Sequence, residues 1–373
     1  MPIESAQSGA SQPLSAAAAA LRAGVHLYGV MGTPLYATLC ARGASDADVV
    51  ALVSRGKEGA APMHLFSSVH YLLLKDSSDP LSRFFATLTP SPRPPEDAFP
   101  EFVRFCKEHR EDILHLLDTR TVQTTYAERC KTVMPLLSRV ADEAGEPLNL
   151  VEIGCSAGVL LTFDKYAYEF ERGGRLGATD APLTLSVAVV GGRPLHIPQI
   201  GSRVGLDLHV LDPRSKDERR WLLALSFPEH REQQAALATA LNEVARTPMR
   251  MIEGDALITL PAVLAETADP LCVFHSACLM YWPSLAKTAL DALLIDASRS
   301  RSIYRVAMEP TDRFISEHKG GTDGSEQQGH DTRTDQARRI SGEAIITRYR
   351  GGVVDRIAAA RTAPHYGSVE WIE

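Results

Sequence analysis

Apolar residues recur at helical spacing from Leu14 to about residue 145. SAAAAALRAGVHLYG and DADVVALVSRG are rich in alanine, valine and leucine, and SSVHYLLLKD sets Val69, Leu72 and Leu73 on one helical face. EDAFPEFVRFCKEHREDILHLL repeats Phe102, Phe105, Ile113 and Leu116 in the same way. The proline-rich stretch 89–100 reads as a loop whose end starts a helix at Pro95. No strand is expected before residue 148. From there the pattern changes. LNLVEI (148–153) reads as a buried strand, GCSAGVLLTFDKYAYEF as a turn into a helix, and SVAVVGGRPLHI as a hairpin about Gly191-Gly192. SRVGLDLHVLD (a strand and its exit), MRMIEGDA, PLCVFHSACL and IYRVAMEP read as further strands, separated by helices at about 217–246, with a break at Pro228, and at 284–297. The chain closes with two strands about Gly351-Gly352 and a short terminal strand.

Strands alternating with helices predict an α/β fold with a Rossmann-like, mostly parallel sheet, and the closing hairpin predicts an antiparallel edge. The expected division is a disordered polar tail (1–14), an all-helical cap domain (15–146) and a sheet domain of seven strands (147–373). A polar stretch at 317–341 reads as a mobile loop.

Composition narrows the function classes. The 373 residues carry 39 basic and 46 acidic side chains, a net charge of −7, which argues against a broad nucleic-acid-binding face. No apolar run approaches the ~20 residues of a membrane span. The first residues have neither a basic region nor an apolar core of the signal-peptide kind. Six cysteines without a Cys-x-x-Cys pair suit reduced thiols, so a cytoplasmic location is expected. The pairs His64/His70 and His109/His115 are six apart, which gives no single-face metal site, and no metal is expected.

The chemistry centres on Glu152-Ile153-Gly154-Cys155-Ser156-Ala157-Gly158, which joins the first strand to the expected helix. Gly154 permits a sharp bend, Gly158 permits close packing, and Cys155, Ser156 and Ala157 leave room for a ligand. One reading is an S-adenosyl-L-methionine site in which Glu152 holds the cationic amino end. A second is a serine hydrolase, since Gly154-x-Ser156-x-Gly158 is a Gly-x-Ser-x-Gly elbow with His275 or His365 as base. Against it, no strands or His-Gly-Gly loop precede the motif. A dinucleotide dehydrogenase would need a Gly-x-Gly-x-x-Gly spacing that is absent. A turn that binds nothing is the remaining alternative.

Later strand ends supply partners for the first reading. Asp207 ends the second principal strand and is favoured for the ribose hydroxyls. Asp180 fits the usual spacing of ~20 residues better and competes with it. Asp255 and Ala256 end the third strand and suit the adenine amine, with an N-cap as the competing role for Asp255. His275 ends the fourth strand and is the candidate base, the alternative being a histidine bonded into the sheet end. Glu309 ends the fifth and would face the same crevice.

These blocks together resemble the uncharacterised bacterial family known as domain of unknown function 2332. VQTTYAERCKTVMPLL looks like its Gln-Thr-Asn-Glu-x-x-Arg segment, and VEIGCSAGVLLTFDKYAYEF its Glu-x-Gly-x-Ser-Ala-Gly signature. RVGLDLHVLD, WLLALSFPEHR, VFHSACLMYW and APHYGSVEW resemble later blocks. The resemblance implies a class I methyltransferase-like domain behind a helical cap. It departs at Thr125-Tyr126, where the family has Asn-Glu, and at Val159-Leu160, where it has Leu-Asn. Gln123 and Arg129 still match and are expected, with Tyr168 and Glu309, to face a small-molecule substrate. The expected function is methyl transfer to an N, O or C nucleophile, with the cap and the 317–341 loop closing over it. A non-catalytic S-adenosyl-L-methionine-binding sensor or partner protein stands beside the hydrolase as an alternative.

Overall fold

The computed structural model of the protein describes residues 7–56, 60–310, 342–362 and 368–372. The expected 317–341 loop, His365 and residues 1–6 lie outside the described residues. The helices are α1 (Gln7–Val30), α2 (Pro34–Gly43), α3 (Ala47–Val53), α4 (Ala61–Lys75), α5 (Ala98–Glu108), α6 (Arg110–Thr119), α7 (Cys130–Ala144), α8 (Lys216–Ala224), α9 (Arg231–Val244), α10 (Ala256–Glu266) and α11 (Ser284–Ala297). The strands are β1 (Leu148–Ile153), β2 (Ala167–Phe170), β3 (Arg175–Leu176), β4 (Thr184–Val190), β5 (Ile200–Asp207), β6 (Arg250–Glu253), β7 (Leu271–Ser276), β8 (Ser302–Pro310), β9 (Gly342–Arg350), β10 (Val353–Thr362) and β11 (Ser368–Ile372). No helix among the described residues is long and apolar enough to cross a membrane.

The chain forms two compact units, Met1–Thr124 with Ser215–Ala235, and Thr125–Arg214 with Ala236–Glu373. The first differs from the expected cap in two ways. It excludes α7, and it takes in α8, whose Trp221 is fully buried and donates its indole N–H to the Thr121 carbonyl at 2.8 Å. Its core gathers Tyr28, Tyr36, Phe66 and Phe227, with the Tyr36 and Phe66 rings 4.7 Å apart. Helix α4 is buried from Met63 to Tyr71, because it is the helix the others pack around. Helix α1 already includes Gln7–Leu14, a stretch expected to be tail. Once the alanine run after it nucleates a helix, each added residue gains a backbone hydrogen bond.

His70 sits in this core. Its Nδ1 lies 3.1 Å from the Ala224 carbonyl and its Nε2 2.9 Å from the Thr87 hydroxyl, so the ring is neutral with Nδ1–H donating. Burial pushes its pKa down from 6.5 to about 4. The unfolded chain therefore takes the proton first. Stability from this group is present above pH 6.5 and is lost as the pH falls toward 4, by about 3 kcal/mol in all. Denaturant unfolding at pH 7.5 and pH 5 should show this decline, and His70→Gln should flatten it. Equal slopes in both proteins would remove His70 from the explanation.

The second unit is built on a mostly parallel, mixed sheet of eleven described strands in the order β3-β2-β4-β11-β10-β9-β8-β7-β1-β5-β6. β1 is buried along its whole length, as a parallel strand covered on both faces must be. Helix α7 covers one face near β8, β9 and β4. The core of the other face joins Val151, Ile153, Val204, Leu206, Leu271 and Val273 to Leu260 and Val263 of α10 and Leu290 and Leu294 of α11.

Three expectations change here. The stretch after the glycine turn is a short 3-10 turn (Leu160–Lys165) followed by β2, not one helix, so Asp164 and Tyr168 do not share a helical face. A short apolar run reads equally well either way, and the parallel pairing of β2 with β4 decides it. The hairpin at Gly191-Gly192 does not form. Both glycines have positive φ, at +73° and +81°, and Pro194 and Pro198 cannot donate to a ladder, so β4 pairs instead with β2 and β11. The closing hairpin β9–β10 lies inside the sheet, because β11, β4, β2 and β3 continue beyond it and raise the strand number from seven to eleven.

Candidate functional site

Counting only the strands β1, β5, β6, β7 and β8, the sheet runs third-second-first-fourth-fifth. The order therefore reverses beside β1, and in open α/β sheets ligands bind outside the carboxyl ends of the strands at that point. The Gly154–Gly158 turn is located there. Gly154 and Gly158 have φ of +75° and +81°, and Ser156, at +52°, is one of two non-glycine residues with positive φ among the described residues. The turn is held from β5. Asp207 accepts the Ser156 backbone N–H at 2.7 Å with one carboxylate oxygen and the His209 N–H at 3.0 Å with the other. The Leu211 N–H reaches the Ser156 carbonyl at 3.2 Å. A side chain at Gly154 would place Cβ 2.4 Å from the Cys278 sulfur, so the turn and the loop after β7 touch.

Register decides which side chains share a face, since side chains alternate along a strand. Glu152 pairs with Gly205 and Phe274. Its face therefore also carries Asp207 and Ser276, two residues further along β5 and β7. Glu152 is 2% exposed, and its Oε2 has no hydrogen-bond partner. Burial, and next the charge of Asp207, hold its carboxyl well above the usual range, against the pull of Arg129. The Ser276 hydroxyl is also buried without a partner. Arg129 lies over the Tyr126 ring at 5.7 Å and donates through Nη1 to the Ser276 carbonyl at 3.4 Å.

His275 belongs to the opposite face, with Ile153 and Ala307. The ring is fully buried. Its Nδ1 lies 2.6 Å from Glu309 Oε1, and its Nε2 accepts from Arg305 Nε at 3.1 Å. A nitrogen that accepts from a guanidinium cannot also be protonated, so Nδ1 carries the hydrogen. Burial lowers the pKa and keeps the ring neutral. Both nitrogens are engaged, which is the sheet-end role weighed against catalysis from the sequence. Burial alone would raise the Glu309 carboxyl, but the bonds from His275 and the Leu279 and Cys278 N–H groups outweigh it and leave Glu309 below its ordinary pKa. Glu309 spends its oxygens on this loop.

The other expected residues scatter. Asp255 caps α10 by accepting the Leu257 N–H at 2.8 Å, and Ala256 is buried as the first residue of that helix. Tyr168 is fully buried and donates to the Phe163 carbonyl at 2.6 Å, so its hydroxyl is turned inward. Asp180 is exposed in a turn between β3 and β4, while Asp207 holds the glycine turn. Gln123 belongs to the first unit, where its side-chain oxygen receives the Thr121 hydroxyl at 2.9 Å. Cys155 and Cys278 are poor nucleophiles: burial holds the first thiol well above its ordinary pKa and pushes the second up to about 12. Among the described residues, Asp79, Glu108 and His109 form a grouping of metal-ligand type, but Arg104 already pairs with Asp79 and Glu108.

Sequence reading missed Glu128 and Ser276. Glu128 lies in the short turn before α7, its Oε2 is buried without a partner, and burial raises its carboxyl. No motif or spacing in the sequence marked it.

The chain matches the family described as "uncharacterized protein conserved in bacteria (DUF2332)" over residues 28–371. It belongs to this family. No curated protein matches it. The DUF2332 match spans both units, so helices and sheet are parts of one family pattern.

Proposed function

We propose that the crevice beside β1 holds S-adenosyl-L-methionine and that the protein transfers its methyl group to a small-molecule N, O or C nucleophile. One observation carries this reading: a fully buried carboxylate oxygen, Glu152 Oε2, left without a partner at the point where the strand order reverses. Leaving a buried carboxylate unpaired costs about 1–3 kcal/mol or more, and a cationic ligand with N–H donors removes that cost. The sheet order and the glycine-bearing turn support the methyltransferase-like reading of the fold.

When bound, the cofactor would supply an electrophilic methyl group. Glu152 would hold its amino end beside the Gly154–Gly158 turn. Asp207, which holds the glycine turn, would face the ribose hydroxyls, and Asp255 and Ala256, just after β6, would face the adenine. The enzyme's share would be positioning and exclusion of water. His275 is engaged by Glu309 and Arg305, and Glu128, beside Arg129 in the turn before α7, would be the candidate general base. Arg129 and Tyr126 would flank the acceptor.

The hydrolase reading keeps one favourable feature, the positive φ of Ser156, which a nucleophile elbow also requires. Of its two candidate bases, His275 is engaged by Glu309 and Arg305, and His365 lies outside the described residues. Calorimetric titration with S-adenosylmethionine and S-adenosylhomocysteine should show binding by wild type, weakened about 10- to 100-fold in Glu152→Ala and Asp207→Ala. Full affinity in both variants would overturn the site. Labelling of Ser156 by a fluorophosphonate would favour hydrolysis instead.

A further inference from the structure

The loop that follows β7 forms one wall of the crevice, because Cys278 meets Gly154 there. This loop is strained: Ala277 has φ +48°, a conformation that L side chains with a Cβ adopt at a cost. What holds it is Glu309. Its Oε1 accepts the Cys278 and Leu279 N–H groups at 3.2 and 3.1 Å, and its Oε2 accepts the Met280 N–H at 3.2 Å. Glu309 is in turn oriented by His275 Nδ1–H, and His275 by Arg305 Nε–H. Behind Arg305 stand Asp291 of α11, 2.5 Å from Nη1, and the Tyr349 hydroxyl of β9, 3.3 Å from the same nitrogen. The charged and titratable groups of this chain of contacts are Glu309, His275, Arg305, Asp291 and Tyr349.

We infer that Arg305, braced by Asp291 and Tyr349, is a positioning residue of the ligand crevice, acting through His275 and Glu309 on the loop 277–281. The inference rests on the crevice being the ligand site. The physical reason is geometric. Arg305 fixes which His275 nitrogen carries the hydrogen, since Nε2 faces a guanidinium and must accept. That tautomer is the one that donates to Glu309. Without Arg305, the imidazole can flip or change tautomer, and Glu309 loses the donor that fixes its rotamer. The three loop N–H groups then exchange a fixed acceptor for a mobile one.

The test uses the full chain. Arg305→Met and Asp291→Asn are compared with wild type by hydrogen exchange, by the ¹⁵N shifts of the His275 ring, and by calorimetry with S-adenosylhomocysteine. Asp291 is half-exposed, so its variant keeps the test alive should Arg305→Met fail to fold. Wild type should show His275 with its hydrogen on Nδ1. Exchange at Cys278, Leu279 and Met280 should rise by roughly tenfold in Arg305→Met and less in Asp291→Asn, with the amides of β1 and β8 unchanged. Affinity for S-adenosylhomocysteine should fall in the same order. Unchanged loop exchange in both variants overturns the inference, as does a hydrogen on Nε2 in wild type. Faster loop exchange with unaltered affinity also overturns it, because the loop would then not govern the site. If wild type binds no S-adenosylhomocysteine while the loop loosens as expected, the cofactor reading fails and the positioning role stands.

Discussion

Gly154→Ala is expected to unfold at markedly lower denaturant than wild type, with a loss of about 2–5 kcal/mol. Two costs combine. Alanine at φ +75° occupies the left-handed region, at about 1–2 kcal/mol. The new Cβ would stand 2.4 Å from the Cys278 sulfur and 2.8 Å from its Cβ, and overpacking of this kind costs about 1–3 kcal/mol. Relief by movement is limited, because Cys278 belongs to the loop that Glu309 holds. The two costs are separable by a double-mutant cycle. Cys278→Ala removes the sulfur but keeps its Cβ, so the double variant should recover about 1 kcal/mol of the loss and no more. Guanidinium unfolding of the four proteins measures this. Additive losses would mean that the turn and the loop do not touch in solution.

Glu152→Gln is expected to make the ligand-free protein more stable while weakening S-adenosylhomocysteine binding by about 100-fold. An amide of the same size buried in place of a partnerless carboxylate avoids most of its desolvation, a gain of about 1–3 kcal/mol. The pH dependence carries a sign that tests the cause. The folded carboxyl titrates well above its ordinary value. Its favourable contribution is therefore complete at acid pH, below the unfolded value near 4.5, and is lost as the pH rises through the folded value. The advantage of Glu152→Gln should accordingly widen from pH 5 to pH 8. Melting curves that stay parallel across that range would place a partner on Glu152 that the structure does not show. Retained affinity in a stabilised variant would leave the buried acid real and the ligand wrong.

Much of the second unit was legible because its signals are local. β1, β5, β6, β7, β8 and the closing strands announce themselves as short apolar runs between turn residues, and the helix at Ser284–Ala297 falls at its expected limits. The glycine turn was legible because positive φ demands glycine at two of its positions, and so was the place of Asp207 at a strand end, but not its bond to the Ser156 N–H. The 3-10 turn and β2 were not legible, because residues 160–170 satisfy helix and strand patterns alike until β4 arrives to pair with them. The inward position of β9–β10 depends on four further strands docking beyond them, and no residue within the hairpin records that.

The assignment of His275 shows the same limit at the level of chemistry. A histidine at a strand end signals a catalytic base and a structural bond equally well. Its face was fixed by register against Ile153 and Ala307, and its nitrogens were claimed by Glu309 and Arg305, 34 and 30 residues away. Local order along the chain thus specified the helices, most strands, the glycine turn and the family. Which acid is left without a partner, which histidine is bound and which loop meets the glycine turn arose from packing. Those properties depend on burial and on contacts between distant segments, and no short stretch of residues encodes either.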